Sequence, residues 1–277
     1  MRVLLTGGSG YLGAFVAPAL AAAGHAVTRL SRLPAPGDWL RYDLAAAPPP
    51  LPSTDALVHL AFDHAPGRYR GGEGDDPARF LRLNRDGSLG LFTAARAAGA
   101  ARVIFLSSRA VYGDHRRGET LTETDPPAPD SLYGQMKLDV EAAADAALRA
   151  TGVYGLPPGC ATHKWSRLFA DYLAGEPVPS RIATELHGAD VAGGILLLLD
   201  RADATGPFNA SDLLLDHHDL LAAVQTRTAC PHPPPLRAQV PPPGVMATDR
   251  LRALGWRPGG ESRLMAFIDA LFSHPNR

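Results

Sequence analysis

Only two cysteines, Cys160 and Cys230, occur in 277 residues, far apart and in no metal or redox spacing. That excludes a disulfide framework and a cysteine-built metal site, and it points to a reducing compartment, with the cytoplasm the simplest location. Charge of one sign is equally scarce. The 27 Lys and Arg against 28 Asp and Glu leave a formal net charge of -1, and the signs are interspersed. Neither nucleic acid nor an anionic membrane surface is expected as a partner. Long hydrophobic runs are lacking: the longest, Ile195 to Leu199, is far too short to span a bilayer, and Arg2 leads straight into a strand-like run rather than a signal peptide. His163, His187, His217 and His218 have no convincing ligand spacing, and the last two follow Asp216, an N-cap residue type. They read as surface helix residues, and no metal is expected.

What is present begins at residue 3. Val3, Leu4 and Leu5 suit a strand buried on both faces, and Gly7, Gly10 and Gly13 follow at three-residue spacing. Gly7 allows a tight turn, Gly10 lets a pyrophosphate approach the backbone, and Gly13 lets the next helix pack on the strand. That helix, from about Tyr11 to Ala23, aims its N-terminal amides at the phosphates, although Pro18 inside it is expected to kink it. Gly24 to Leu30 reads as a turn into a second strand.

Further strand-like runs at Ala26–Leu30, Ala56–Leu60 and Val103–Leu106 alternate with helical stretches, one from about Pro77 through Asn84 to Ala98, stopped by Gly99. This alternation predicts an α/β fold with a Rossmann-type, doubly wound parallel sheet and a small C-terminal substrate lobe. Residues 1–159, with 181–212 returning, are expected to form mainly the dinucleotide-binding body, and 160–180 with 213–277 mainly the lobe. The Ala/Pro-rich Ala45–Pro52, the Gly- and acid-rich Asp63–Asp76 and the proline-rich Pro231–Pro243 read as irregular segments. The second of these, following a strand's carboxyl end, reads equally as a lid or a solvated loop.

Two segments carry candidate chemistry. After the fourth strand comes Ser107-Ser108-Arg109-Ala110-Val111-Tyr112-Gly113, and a later helix opens with Ser131-Leu132-Tyr133-Gly134-Gln135-Met136-Lys137. Tyr133 and Lys137, at i and i+4, share one helix face. A free tyrosine with a pKa near 10 needs help of roughly 3 units, or ~4 kcal/mol, to act as a base at neutral pH. A nearby ammonium and a positive nicotinamide ring supply it by favouring phenolate. Ser108, at a strand's carboxyl end, can donate to a substrate oxygen beside Tyr133. Arg109 is the nearest basic candidate for a substrate acid or phosphate, with a solvent-facing role equally open.

With these motifs the chain resembles an extended short-chain dehydrogenase/reductase of the NAD-dependent epimerase/dehydratase family. The likeness runs along nearly the whole chain, through Thr-Gly-Gly-Ser-Gly-Tyr-Leu-Gly, Asp43-Leu44, His59-Leu60-Ala61, Asn84, the Ser-Ser-Arg-Ala-Val-Tyr-Gly and Tyr-Gly-Gln-Met-Lys segments, His187 to Ala192, Phe208-Asn209-Ala210 and Leu254-Gly255-Trp256. The resemblance implies Tyr133 as general acid or base. It implies that Lys137 lowers the tyrosine's pKa and holds the nicotinamide ribose, and that Ser108 orients the reacting oxygen. It also implies Tyr11 and Leu12 against the phosphates, Asp43 and Leu44 beside the adenine, Leu60, Ala61 and Asn84 along the cofactor, and a homodimer through the helices bearing Tyr133 and Asn84. Where an NAD-binding member ends its second strand with an acid, this chain has Ser31 and Arg32. A hydroxyl and a guanidinium suit a 2′-phosphate, so NADP is the expected cofactor, with NAD the alternative.

The pattern breaks after the catalytic helix. That helix reads as running through Leu148-Arg149-Ala150-Thr151 to Gly152, which leaves about one buried strand of the family pattern without residues before Tyr154-Gly155. Either the strand is lacking or residues have been omitted, and the intact motifs on both sides favour omission. An arginine that contacts the diphosphate in nucleotide-sugar relatives is also missing from Pro242-Pro243-Gly244-Val245, unless Arg237 or Arg181 replaces it. The resulting expectation is an enzyme interconverting a secondary alcohol and a ketone on a sugar or nucleotide-sugar-like substrate. Pro129 to Gly134 also resembles uronate dehydrogenases, which makes a uronate or aldose dehydrogenase an alternative. A non-catalytic NADP-binding sensor is the reading from another class.

Overall fold

The computed structural model describes residues 1–34, 37–64 and 73–273. Strand and helix alternate from the start, with β1 (Arg2–Thr6), α1 (Gly13–Ala22), β2 (Ala26–Ser31), β3 (Trp39–Arg41) and β4 (Ala56–His59). A helical arm follows, made of α2 (Pro77–Leu81), a π-turn (Arg82–Asp86) and α3 (Gly87–Ala97). Then come β5 (Arg102–Ser108), a 3-10 turn (Arg109–Tyr112), β6 (Thr120–Leu121) and α4 (Leu132–Glu141). The remainder is β7 (Ala146–Ala150), β8 (Gly152–Tyr154), α5 (Ser166–Leu173), β9 (Ile182–His187), α6 (Gly188–Asp200), β10 (Gly206–Ala210), β11 (Leu213–Asp216), α7 (His217–Thr228), β12 (Val245–Met246), α8 (Asp249–Ala253) and α9 (Gly260–Phe272).

Seven strands form one parallel sheet in the order β10-β7-β5-β4-β1-β2-β3. Alternation along β1 sorts the two faces. Val3 and Leu5 pack with Phe15, Val16 and Leu20 of α1 and Ile195 and Leu198 of α6, while Leu4 packs with Phe80, Leu91, Phe92, Met136 and Val140. Both faces are therefore covered, as an all-parallel sheet requires. The chain order reverses between β1 and β4, so a crevice opens outside their carboxyl ends, where doubly wound sheets take their ligands. Buried Arg102 fixes α6 by donating to the carbonyls of Leu198 (2.7 Å) and Ala204 (2.6 Å), at the end of the helix where a cation is favoured.

A second apolar cluster joins Tyr154, Trp165, Phe169 and Tyr172 to Leu220, Leu221 and Val224 of α7 and Leu264, Phe267 and Ile268 of α9. It lies with the three-stranded sheet β11-β9-β8. Leu251 and Trp256 pack instead with the α1 side of the main sheet.

The strand expected to be missing is present. The helix bearing Tyr133 stops at Glu141, and Ala146–Ala150, expected to be helical, is β7, paired in parallel with β5 and β10 and buried at every residue. Ala, Leu and Arg are good helix formers, so local propensity favours helix here. A five-residue run between two strands is decided instead by burial and ladder hydrogen bonds, and Asp145 sets its start, its carboxylate accepting from Val103 N at 2.7 Å. The departure from the family pattern is a short helix bearing Tyr133 and a tight connection rather than a lost strand.

Two further expectations need adjustment. Pro18 lies inside α1 on its exposed side, and the helix continues to Ala22. The expected single helix from Pro77 to Ala98 is broken by the π-turn, in which Gly87 N bonds to Arg82 O. Of the expected irregular segment Asp63–Asp76, residues 65–72 lie outside the described residues. Among the described residues no helix is long and apolar enough to cross a membrane.

Candidate active site

The glycine turn is shaped by backbone crowding. Gly7 has φ +67°, and a Cβ on it would sit 2.8 Å from Leu60 C and 2.9 Å from Ala61 N. A Cβ on Gly13 would run into Gly7 O, whereas one on Gly10 would meet only that oxygen, at 3.3 Å. The turn is closed against β4 on one side and open at Gly10, a cradle that fits a pyrophosphate above the N-terminus of α1. Thr6 Oγ1 ties turn to strand by accepting from the amides of both Leu60 and Ala61, each at 3.1 Å.

Tyr133 enters the site in the first turn of α4, which Ser131 caps by accepting from Gly134 N at 3.2 Å. The absence of a side chain at Gly134 lets this turn press against Ala110 O, two residues beyond Ser108. Ser108 itself caps the 3-10 turn, accepting from Ala110 N at 3.2 Å, which leaves its hydroxyl proton free to donate. The neighbouring Ser107 hydroxyl is buried without a hydrogen-bond partner among the described residues.

Lys137 is 5% exposed and donates to Leu106 O at 2.8 Å. Its ammonium lies 4.6 Å from the centroid of Phe105, 5.3 Å from Phe62 and 5.7 Å from Tyr133. Burial brings its pKa down to about 7, with Glu141 opposing the shift. Phe62 packs edge-on against Tyr133, with ring centroids 5.1 Å apart. The expected pairing of Tyr133 and Lys137 on one face is therefore present, within an aromatic enclosure that the sequence reading did not anticipate.

The second-strand residues behave differently from one another. Ser31 is buried, donates to Leu33 O and accepts from Trp39 Nε1 at 2.8 Å, so its proton is already committed. Arg32 is exposed, 3.8 Å from the Asp63 carboxylate, which also pairs with Arg79 at 3.0 Å. Arg29, not singled out from sequence, lays its side-chain carbons 3.5 Å from where a Cβ on Gly8 would be. Asp43 accepts from Ala45 N at 2.9 Å, and Leu44 O lies 2.5 Å from where a Cβ on Gly87 would be. The Asp43-Leu44 loop is thereby seated against the start of α3. Asn84 is buried with its amide bonded to the Asp63 backbone.

Arg109 is only 11% exposed in its side chain and donates to Asp114 at 2.6 Å and to Gly113 O at 3.3 Å. It neither faces solvent nor presents a free charge; a substrate anion would have to displace Asp114. Arg237 is likewise paired with Asp219. Tyr11 links the glycine turn to the second cluster by donating to Gly155 O at 2.6 Å, and an aromatic series continues through Phe15, His187 and Tyr154 to Trp165. Burial lowers the His187 pKa to about 4. Its Nδ1 accepts from Ala189 N at 3.1 Å, which leaves the proton of the neutral ring on Nε2.

Sequence reading also missed a buried polar network. Glu141, one turn beyond Lys137, pairs with Arg149, whose Nη1 donates to the Tyr112 hydroxyl at 2.7 Å. Asn209 Oδ1 lies 2.9 Å from the same hydroxyl. The one available signal was an arginine inside a run that proves to be a fully buried strand.

Residues 3–210 match the NAD dependent epimerase/dehydratase family. The chain is 28% identical to a UDP-glucose 4-epimerase of Lacticaseibacillus casei over 155 residues, covering 51% of this chain and 45% of that protein. It is 34% identical to a uronate dehydrogenase of Pseudomonas syringae over 146 residues, 49% of this chain and 50% of the other. It thus spans about half the length of these curated relatives. Among solved structures, the Thermus thermophilus UDP-glucose 4-epimerase in complex with NAD superposes with a TM-score of 0.77 at 25% identity, over 100% of both chains. The chain belongs to the NAD-dependent epimerase/dehydratase family.

Proposed function

We propose that this chain is an NAD(P)-dependent enzyme that interconverts a secondary alcohol and a ketone on a sugar-like substrate. The observation that carries the reading is the placing of Tyr133 and buried Lys137 one helical turn apart in an aromatic enclosure, on a helix packed against the turn that Ser108 caps. A bound nicotinamide supplies hydride transfer, and the glycine cradle with Leu60 and Ala61 on its closed side fits the dinucleotide that carries it.

Tyr133 is the proton carrier. When the alcohol is oxidised it takes the hydroxyl proton, and in the reverse direction it returns that proton to the carbonyl oxygen. Ser108 has an uncommitted proton and donates it to the same oxygen, holding it beside the phenol. Lys137 in its charged form favours phenolate at Tyr133. Phe62 and Phe105 exclude water from the ammonium and strengthen that effect.

NADP is the cofactor we favour. Arg29 and Arg32 stand beside the glycine turn and the end of β2, and neither Asp nor Glu occupies the position of Ser31. The committed Ser31 proton shifts the burden of recognition onto the two arginines. Residues 1–159 with 181–212 would form mainly the cofactor-binding body and 160–180 with 213–277 mainly the substrate lobe, with Leu251 and Trp256 packed on the body and β8 and β9 in the sheet shared with β11. The outer faces of α3 and α4 would serve as a dimer surface.

A free uronate or aldose is a second substrate reading. It is favoured by the pairing of Arg237 with Asp219 and the lack of an arginine in Pro242–Val245, which leave exposed Arg181 as the remaining candidate cation for a diphosphate. Incubation with NADP⁺ or NAD⁺ and two panels, uridine diphosphate sugars and free uronates, tests both readings through the absorbance of reduced nicotinamide and the epimeric composition of the sugar. Turnover that disappears in Tyr133→Phe while the cofactor still binds supports the mechanism. Turnover unchanged in that variant contradicts it.

A further inference from the structure

His59, the last residue of β4, is fully buried and joins three other groups in one directed chain of hydrogen bonds. Thr6 Oγ1 lies 2.7 Å from His59 Nδ1, His59 Nε2 lies 2.8 Å from Ser88 Oγ, and Ser88 Oγ donates to Asn84 O at 2.5 Å. Donor counting fixes every proton. Both lone pairs of Thr6 Oγ1 are taken by the amides of Leu60 and Ala61, so the hydroxyl proton must go to Nδ1. Ser88 has given its own proton to Asn84 O, so Nε2 must carry the proton of the ring. The imidazole is thus neutral and in the Nε2–H form. A second ring proton would point at a threonine oxygen with no lone pair left. The ring cannot easily turn, since Phe105 stacks on it at 5.8 Å and Phe92 meets it edge-on at 5.3 Å.

The two ends of this chain meet different walls of the crevice. Thr6 holds Leu60 and Ala61 against the glycine turn. The Asn84 carbonyl lies within the π-turn, and the Asn84 side-chain amide secures Asp63. We propose that His59 is a positioning residue for the dinucleotide site, transmitting the placement of the glycine-turn wall to the Asn84 wall through its locked tautomer. The proposal rests on the cofactor reading above for its functional consequence, but the transmission itself needs no ligand.

Two measurements separate these parts. Amide hydrogen exchange in the unliganded protein is read at Leu60, Ala61 and Asp63. Ser88→Ala touches neither Leu60 nor Ala61, yet it is expected to speed exchange at both by ~5-fold, the worth of about one hydrogen bond, and Thr6→Val is expected to do the same at Asp63. Unchanged exchange at the remote wall in both variants would overturn the proposal. Titration with NADPH then compares Thr6→Val, Ser88→Ala and the double variant, in the native and His59→Phe backgrounds. Losses are expected to be non-additive in the native background and additive in the His59→Phe background; additive losses in both would also overturn it. ¹⁵N spectra of histidine-labelled protein are expected to show His59 in the Nε2–H form, and the opposite tautomer or a charged ring at neutral pH would overturn the proton assignment. Failure of the native protein to bind any dinucleotide, with remote exchange still coupled, would instead remove the cofactor reading.

Discussion

Asn84 holds Asp63 by both of its backbone groups: Asp63 N donates to Asn84 Oδ1 at 2.7 Å, and Asn84 Nδ2 donates to Asp63 O at 2.8 Å. The second Nδ2 proton goes to Phe80 O at 3.0 Å. The side chain expected to run along the cofactor is therefore occupied in shaping the loop that leaves β4. Asn84→Ala is expected to lower thermal stability by ~2 kcal/mol, because the part-buried backbone groups of Asp63 and the buried Phe80 carbonyl lose their partner, and to weaken dinucleotide binding as well. Calorimetry and a fluorescence titration of the same variant check the two effects.

Lys137 is expected to trade stability for function. Its folded pKa of about 7 lies below the usual 10.5, so the unfolded chain binds the extra proton between those values and stability rises with pH across that window. Lys137→Met removes the buried ammonium. Its expected signature is a thermal midpoint higher than the native protein's at pH 7, a gain of ~2 kcal/mol, together with loss of turnover.

His59 acts in a lower pH range. Burial, with Lys137 adding to it, depresses its pKa from 6.5 to about 3. The unfolded chain takes up a proton there that the native state refuses, so this contribution is complete above pH 6.5 and is lost as pH falls toward 3. His59→Phe is expected to flatten the acid limb of a stability-against-pH curve measured by urea unfolding. An unaltered acid limb would assign it to other groups.

Glu141 and Arg149 form a buried pair in which removal of one partner strands a charge. Arg149→Met is expected to destabilise by ~3–5 kcal/mol, and Arg149→Met with Glu141→Leu to recover much of that loss. Chemical denaturation of the two single variants and the double variant closes the cycle.

Cofactor choice can be moved in both directions. Arg32→Ala and Arg29→Met are expected to weaken NADPH by ~10-fold each with little change for NADH, as loss of a charge-assisted contact to the 2′-phosphate requires. Asp63→Asn, which removes the carboxylate beside Arg32 and Arg79, is expected to tighten NADPH. Paired titrations of the three variants with both nucleotides check the signs.

The strands β1, β2, β4 and β5 and the glycine turn could be read from the sequence because they combine apolar runs with turn residues whose conformations have few substitutes. β7 could not, since its alanines and arginine favour helix locally and only pairing between β5 and β10 makes them strand. That Tyr133 and Lys137 share one helix face could be read from their spacing, which the cap at Ser131 preserves. Phe62, Arg29 and the His59 chain were not. Their importance lies in contacts between residues far apart in the chain, such as the 53 positions separating Thr6 from His59, and no local pattern records them.

Titration of the purified protein with NADPH and with NADH, following nicotinamide fluorescence, shows whether this chain uses a nicotinamide dinucleotide. Saturable binding of both, tighter for NADPH, is the expected result. No binding of either would contradict the account, because the glycine turn, Lys137 and Tyr133 would then form the shape of a cofactor site without its function.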